Sequence, residues 1–343
     1  MSGPERLLVV RAGAIGDSLM VTPLLRALRR SFPGSEIDVW CSRPAAPLFE
    51  LAPGLGRCFS LRFRNLPFAL SLEKQTLVRE LRKREHAFAV LLERAPRYRR
   101  LLERSGIREI RSFRETPFDP KSHAIVNNLR AAGLEGAEWD LDMEVFLTGE
   151  DRRRAAELLS GLPGSKVGVH LGYGPRGKKR NQSERLKGWA TSSFIELSRE
   201  LAARGESLVF TGAAEDRRDV NAIVTGLGRP AAARDLSGRT SVRELAAVIE
   251  KLDVLVSVDS GPAHLAAAVG TPLLVLWGPA IPEQVRPISS RSPVVVLRRP
   301  PPCAPCYETP LMKSCRRNVC MESITPGEVL EEASRLLAAP RNL

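Results

Sequence analysis

At 343 residues the chain is long for one hydrophobic core and comfortable for two α/β domains. Its 43% hydrophobic content is that of a globular protein, and no apolar stretch reaches membrane-span length without Gly or Pro interrupting it. The formal net charge of +13 asks for an anionic partner, whether acidic lipid or phosphorylated substrate; nucleic acid is disfavoured, because no zinc finger, RNP motif or aromatic-interleaved basic groove is present.

The first apolar run, Leu7 to Val10, reads as a strand and is too short for a secretory signal core. The expected compartment is therefore the cytoplasm, where the six cysteines would be thiols or metal ligands. Directly after this strand comes Arg11-Ala12-Gly13-Ala14-Ile15-Gly16-Asp17. Gly13 and Gly16 permit a close turn, but the spacing is GxxG rather than GxGxxG, which disfavours a nicotinamide cofactor. Asp17 is placed at the C-terminal edge of a parallel sheet, where it can accept a proton from a substrate hydroxyl. The alternative is that Asp17 merely caps a helix. Thr22-Pro23 reads as a separate cap and first-turn proline for a helix to about Ser31, which favours the first reading.

Ile37 to Trp40 and Ala87 to Leu92 read as further strands, with a helix near Leu72 to Lys83 between them. Residues 94 to 114 then carry eight arginines against Glu103 and Glu109. An anionic membrane surface attracts such a run by roughly 1 kcal/mol per basic residue; a solvated helix face is the alternative. Near residue 149 a charged helix and a Gly-Pro-Gly-type turn mark a linker. The expected division is 1–150 for a first domain, 151–165 for the linker, 166–325 for a second domain and 326–343 for a closing helix.

In the second half, the strand Val167 to Leu171 opens a long loop with Lys178, Lys179, Arg180, Arg185 and Lys187, suited to a diphosphate or simply solvated. A helix Ser193 to Arg204, a strand Leu208 to Thr211 and a turn at Gly212-Ala213-Ala214 into Glu215 follow. Ser241 to Glu244 forms a capping box. Then DVLVSVDSGPAHLAAAVGTPLLVLWG reads as strand, tight turn, helix and strand. The amides of Ser260, Gly261 and Ala263 are expected unpaired at a helix start, where a phosphate is the natural guest; an ordinary crossover with a well-made start is the alternative. His264 is either a donor to phosphate or sugar oxygen or a packed imidazole. Cys303, Cys306, Cys315 and Cys320 form C-x2-C-x8-C-x4-C in a proline-rich, irregular stretch. This suggests a structural metal, a redox-sensitive cluster, or small buried thiols. A last helix runs from about Gly327 to Leu337.

Taken together, RAGAIGDSLMVTPLLRAL, GRTSVRELAAVIEKLDVLVSVDSGPAHLAAAVGTPLLVLWGP and the segment ending CMESITPGEV resemble glycosyltransferase family 9, the lipopolysaccharide heptosyltransferases. The resemblance implies a GT-B architecture: two Rossmann-like α/β domains with parallel sheets facing across a cleft, acceptor on the first, nucleotide sugar on the second, and a final helix returning to the first. It implies an inverting, metal-independent transfer of heptose from ADP-heptose to an inner-core glycolipid, by a cytoplasmic enzyme peripheral to the inner membrane and needing no cofactor. Position by position, Asp17 matches the general base beside Gly13 and Gly16, and Lys187 the phosphate-binding lysine, with Lys179 and Arg180 as rivals. Asp259, Ser260, Gly261 and His264 match the donor block. Glu215 and the turn Gly238 to Ser241, with Thr240, would lie near ribose and base. A relative moving another sugar, and a nucleotide-binding protein of the same fold without turnover, are the competing readings.

Overall fold

A computed structural model describes residues 6–61, 66–134, 138–172, 186–228 and 232–339. The chain divides into two units, Met1–Phe146 and Leu147–Leu343.

In the first unit the strands are β1 (Arg6–Arg11), β2 (Glu36–Cys41), β3 (Leu55–Ser60), β4 (Phe88–Leu91) and β5 (Glu109–Ser112). They form one parallel sheet in the order β3-β2-β1-β4-β5. The inner strands are continuous apolar runs because helices cover both faces of such a sheet: Leu7 to Val10 are fully buried, as is Trp40, whose ring lies 5.2 Å from that of Tyr98. Each such side chain contributes about 1.5–3 kcal/mol by leaving water. The chain reverses direction across the sheet at β1 and β4, and the loops after these two strands flank that switch point.

The second unit has β6 (Lys166–His170), β7 (Ser207–Thr211), β8 (Ala233–Asp235), β9 (Val254–Val258), β10 (Leu273–Trp277) and β11 (Val294–Arg298). Its parallel order, β11-β10-β9-β6-β7-β8, is the doubly wound arrangement of a dinucleotide fold. Here β6 and β9 meet at the switch point. The last helix, Pro326–Ala338, starts with a Thr325/Glu328 capping box and buries Val329, Leu330, Ala333 and Leu336 in the core of this second unit. No helix among the described residues is long and apolar enough to cross a membrane.

The start of the Thr22–Ser31 helix corrects the sequence reading. Val21 occupies the N-cap position and Thr22 is the first helical residue. The Thr22 hydroxyl instead donates to the Leu19 carbonyl at 2.8 Å and accepts from the Glu144 N–H at 2.8 Å. A tertiary partner has taken the oxygen that a local rule assigned to the helix.

Candidate active site

At the first switch point, Arg11 bridges two strands. Its guanidinium donates to the Leu92 carbonyl just past β4 at 2.8 Å and to Asp17 Oδ1 at 2.6 Å. Glu93 closes the corner, accepting from the Ala12 N–H at 2.8 Å and standing 3.9 Å from Arg11. Neither Arg11 nor Glu93 was singled out from sequence. The available signal was their position, each at the C-terminal end of an apolar run.

The second Asp17 oxygen, Oδ2, accepts from the Ala14 N–H at 3.0 Å, so this carboxylate caps the short helix Ile15–Leu19. A Cβ on Gly13 would stand 2.5 Å from that oxygen, which is why no side chain fits there. Gly16 is buried within the same turn, its carbonyl accepting from the Met20 N–H at 3.0 Å. The second unit repeats the arrangement: the Ala213 N–H donates to Asp216 Oδ2 at 2.8 Å, and a Cβ on Gly212 would lie 3.0 Å from it. Helix capping thus explains where both carboxylates sit. What separates them is access, since Asp216 is 2% exposed whereas the Asp17 side chain is 32% exposed beside a guanidinium.

In the second unit, Lys187 Nζ lies 2.6 Å from Asp259 Oδ2 and 4.6 Å over the ring of Tyr307. The cysteine-bearing segment holds this lysine in place. Leu186 packs on Cys306 and Met312, Asn318 donates to the Gly188 carbonyl at 3.1 Å, and the Trp189 indole N–H donates to the Ile324 carbonyl at 2.9 Å. Burial pushes the Cys306 thiol up and that of Cys320 up to about 11, the thiol form suited to packing. Cys303 is exposed and Cys315 intermediate. Among the described residues no group of three or more His, Cys, Asp or Glu side chains is arranged to hold a metal ion.

The helix Gly261–Val269 begins from Ser260, whose extended backbone and Oγ, 3.0 Å from Ser257 Oγ, fix the turn after β9. One expectation fails: the Ala263 amide is paired, donating to the Ser260 carbonyl at 3.2 Å. The first turn tightens to a three-residue reach, leaving Ser260 and Gly261 as the amides at the helix start. His264 is buried, 4% exposed. His170, which ends β6 level with Thr211 and Ser257, places Nδ1 2.9 Å from Thr211 Oγ1, and burial lowers its pKa to about 4. It is a neutral imidazole at the second switch point.

Glu215 is exposed on the turn Ala214–Asp216. The Gly238 N–H donates to the Gly212 carbonyl at 2.8 Å, which brings the turn bearing Thr240 and Ser241 against the Glu215 loop. Ser241 and Glu244 form the expected capping box, at 3.2 and 2.7 Å. Lys178, Lys179, Arg180 and Arg185 lie outside the described residues.

Two Rossmann-like parallel-sheet units of this kind define the GT-B class of α/β proteins. The model of glycosyltransferase family 9 (heptosyltransferase) matches residues 179–315. Lipopolysaccharide heptosyltransferase 2 of Escherichia coli K12 is 25% identical over 97% of this chain and 98% of its own. The fold is that of the E. coli ADP-heptose lps heptosyltransferase II structure (21% identity, 97% of this chain and 98% of that one, TM-score 0.75). It is also that of the glycosyl transferase family 9 structure from Veillonella parvula (20% identity, 97% of each chain, TM-score 0.82). The chain is thus similar to the glycosyltransferase family 9 heptosyltransferases over residues 179–315, and to heptosyltransferase 2 at 25% identity along 97% of its length.

Proposed function

We propose that the protein is an inverting transferase moving a heptose from ADP-heptose to a lipopolysaccharide inner-core acceptor, with Asp17 as general base. The observation that carries this reading is the partly exposed Asp17 carboxylate, oriented by Arg11 at the switch point of the first sheet. In the reaction Asp17 takes the proton of an acceptor hydroxyl, that oxygen forms a bond to the anomeric carbon, and the bond to the diphosphate breaks on the opposite face. ADP leaves with the electron pair. Lys187, fixed by Asp259, and the Ser260 and Gly261 amides would take up its charge, a role otherwise filled by a metal ion, so no metal is required. Glu215, Thr240 and Ser241 would meet the nucleoside, and His264 would support the donor block from beneath.

The acceptor would be a phosphorylated glycolipid at the cytoplasmic face of the inner membrane. The arginine-rich run 94–114 of the first unit supports peripheral attachment there. Incubation with ADP-heptose and a heptose-deficient core lipid tests the assignment. Asp17→Asn should lose about 10²–10⁴-fold in turnover while ADP-heptose affinity holds. Unchanged turnover would eliminate Asp17 as the base. A wild-type protein that binds ADP-heptose without transferring the sugar would point to the non-catalytic reading.

A further inference from the structure

The first unit contains a cavity of about 400 Å³, within the range of small-ligand sites, between the 66–70 segment and the helix Pro96–Arg104. Its apolar wall is made by Leu61, Leu66, Pro67, Phe68, Tyr98 and Leu101. Lys74, Arg97, Arg100 and Arg104 supply the charge. These cations divide by role. Lys74 is buried and donates to the Leu66 carbonyl, so it holds the rim. The three arginines are exposed, with the Arg104 guanidinium 4.5 Å over the Phe68 ring and that of Arg97 5.3 Å over Tyr98. The helix presents one carboxylate, Glu103, against them.

The surroundings point the same way. Six large apolar side chains are exposed among the described residues, and three of them fall in one seven-residue stretch: Leu66, which lines this cavity, and Leu70 and Leu72, which follow the lining residues Pro67 and Phe68 in the chain. Leu70 is 75% and Leu72 78% exposed, the two highest values of the six. Water is a poor solvent for such a cluster, and a guanidinium rim repels most apolar protein partners. An apolar pocket, protruding leucines and a rim of guanidinium groups are together complementary to an anionic amphiphile, whose chain takes the apolar part and whose phosphate takes the charge.

We propose that this cavity and its leucine rim dock the protein on a bilayer by capturing an anionic phospholipid, the phosphate facing Arg97, Arg100 and Arg104 and the upper acyl chain entering beside Phe68 and Tyr98. The inference rests on the acceptor reading above only in supposing a membrane-borne substrate.

Co-sedimentation with phosphatidylcholine vesicles, with and without phosphatidylglycerol, tests it in the absence of donor and acceptor. The protein should bind the phosphatidylglycerol vesicles alone. Arg100→Gln with Arg104→Gln should weaken that binding on the order of 20-fold at low salt, roughly fivefold per basic residue. Leu70→Gln with Leu72→Gln should weaken it severalfold with the charges intact; both leucines are exposed, so these variants should fold. A Leu66→Trp reporter should shift to the blue with monomeric dihexanoyl phosphatidylglycerol and stay unchanged with inorganic phosphate. Absence of vesicle binding, equal binding to both vesicle types, or a response to inorganic phosphate equal to that with lipid would each overturn the proposal. Heptose transfer is read separately in detergent on the wild type, so either reading can fail while the other stands.

Discussion

The guanidinium of Arg11 spans the switch point of the first sheet, 2.8 Å from the Leu92 carbonyl and 2.6 Å from the Asp17 carboxylate. It ties the orientation of a candidate base to the two central strands rather than to the loop that carries it. A side chain on a turn is thereby held with the rigidity of a sheet, which a positioned proton acceptor needs.

On the proposed mechanism Arg11 is accordingly a positioning residue. Arg11→Lys keeps the charge but cannot bridge both acceptors from a planar fork. Turnover should fall on the order of tenfold with the KM for ADP-heptose unchanged, measured by steady-state kinetics. A raised donor KM with normal turnover would contradict this role.

Gly13→Ala tests the same geometry from the other side. The added methyl meets Asp17 Oδ2 at 2.5 Å, so the carboxylate must turn away from both Ala14 and Arg11. Misplacement of about 1 Å costs on the order of 100-fold in rate. A thermal melt within a few degrees of wild type would show that the loss is local.

In the second unit, the Lys187–Asp259 pair predicts a different signature. Lys187→Met should weaken ADP binding on the order of tenfold or more, read by calorimetry, because on the proposed assignment a charge-assisted contact to the diphosphate is lost. Asp259→Asn should weaken it less, since the ammonium remains but is no longer fixed.

His170 gives a pH prediction. Its pKa is about 4 in the folded state, lowered by burial, against about 6.5 in an unfolded chain. The unfolded state therefore binds the proton first, and stability is lost as pH falls from about 6.5 toward 4, by up to about 3 kcal/mol. Denaturant melts of wild type and His170→Asn across this range should show a steeper decline for wild type; parallel curves would mean that the imidazole is not neutral in the fold.

At the opposite end of the first sheet, buried Asp38 accepts from His86 at 2.7 Å, from the Arg57 N–H at 2.7 Å and from Arg84. Burial acts to raise its pKa, but the hydrogen bonds from His86, Arg84 and the Arg57 amide prevail and hold the carboxyl below its ordinary value. Its stabilisation is present above the unfolded value of about 3.9 and is lost as pH falls through the lower folded value. Asp38→Asn leaves the buried His86 and the partly buried Arg84 guanidinium facing a neutral amide and should cost about 3–5 kcal/mol in urea unfolding at neutral pH.

The inner strands β1, β2, β4, β6, β7, β9 and β10 are all legible in the residue order, whereas β3, β5, β8 and β11 are not. The unread strands are the edges of the two sheets. A strand with one neighbour is partly exposed and mixes charge into its pattern, as in Leu-Gly-Arg-Cys-Phe-Ser of β3 and Glu-Ile-Arg-Ser of β5. An apolar run signals burial on two faces, and an edge position is a property of the neighbours.

The same division runs through the candidate site. Local patterning was enough to put Asp17 at a strand end and the Asp259-Ser260-Gly261 turn at a helix start, because strand ends, glycines and helix starts follow from short-range backbone sterics and hydrogen bonding; Lys187 was one of five cations in its loop and was singled out only by the family resemblance. Which groups those side chains touch was beyond it. That Arg11 holds Asp17, that Thr22 serves Glu144 instead of its own helix, and that a cysteine segment more than 100 residues downstream grips Lys187-Gly188-Trp189 all depend on contacts between distant parts of the chain. Such contacts exist only once the sheets have assembled, and no one-dimensional period encodes them.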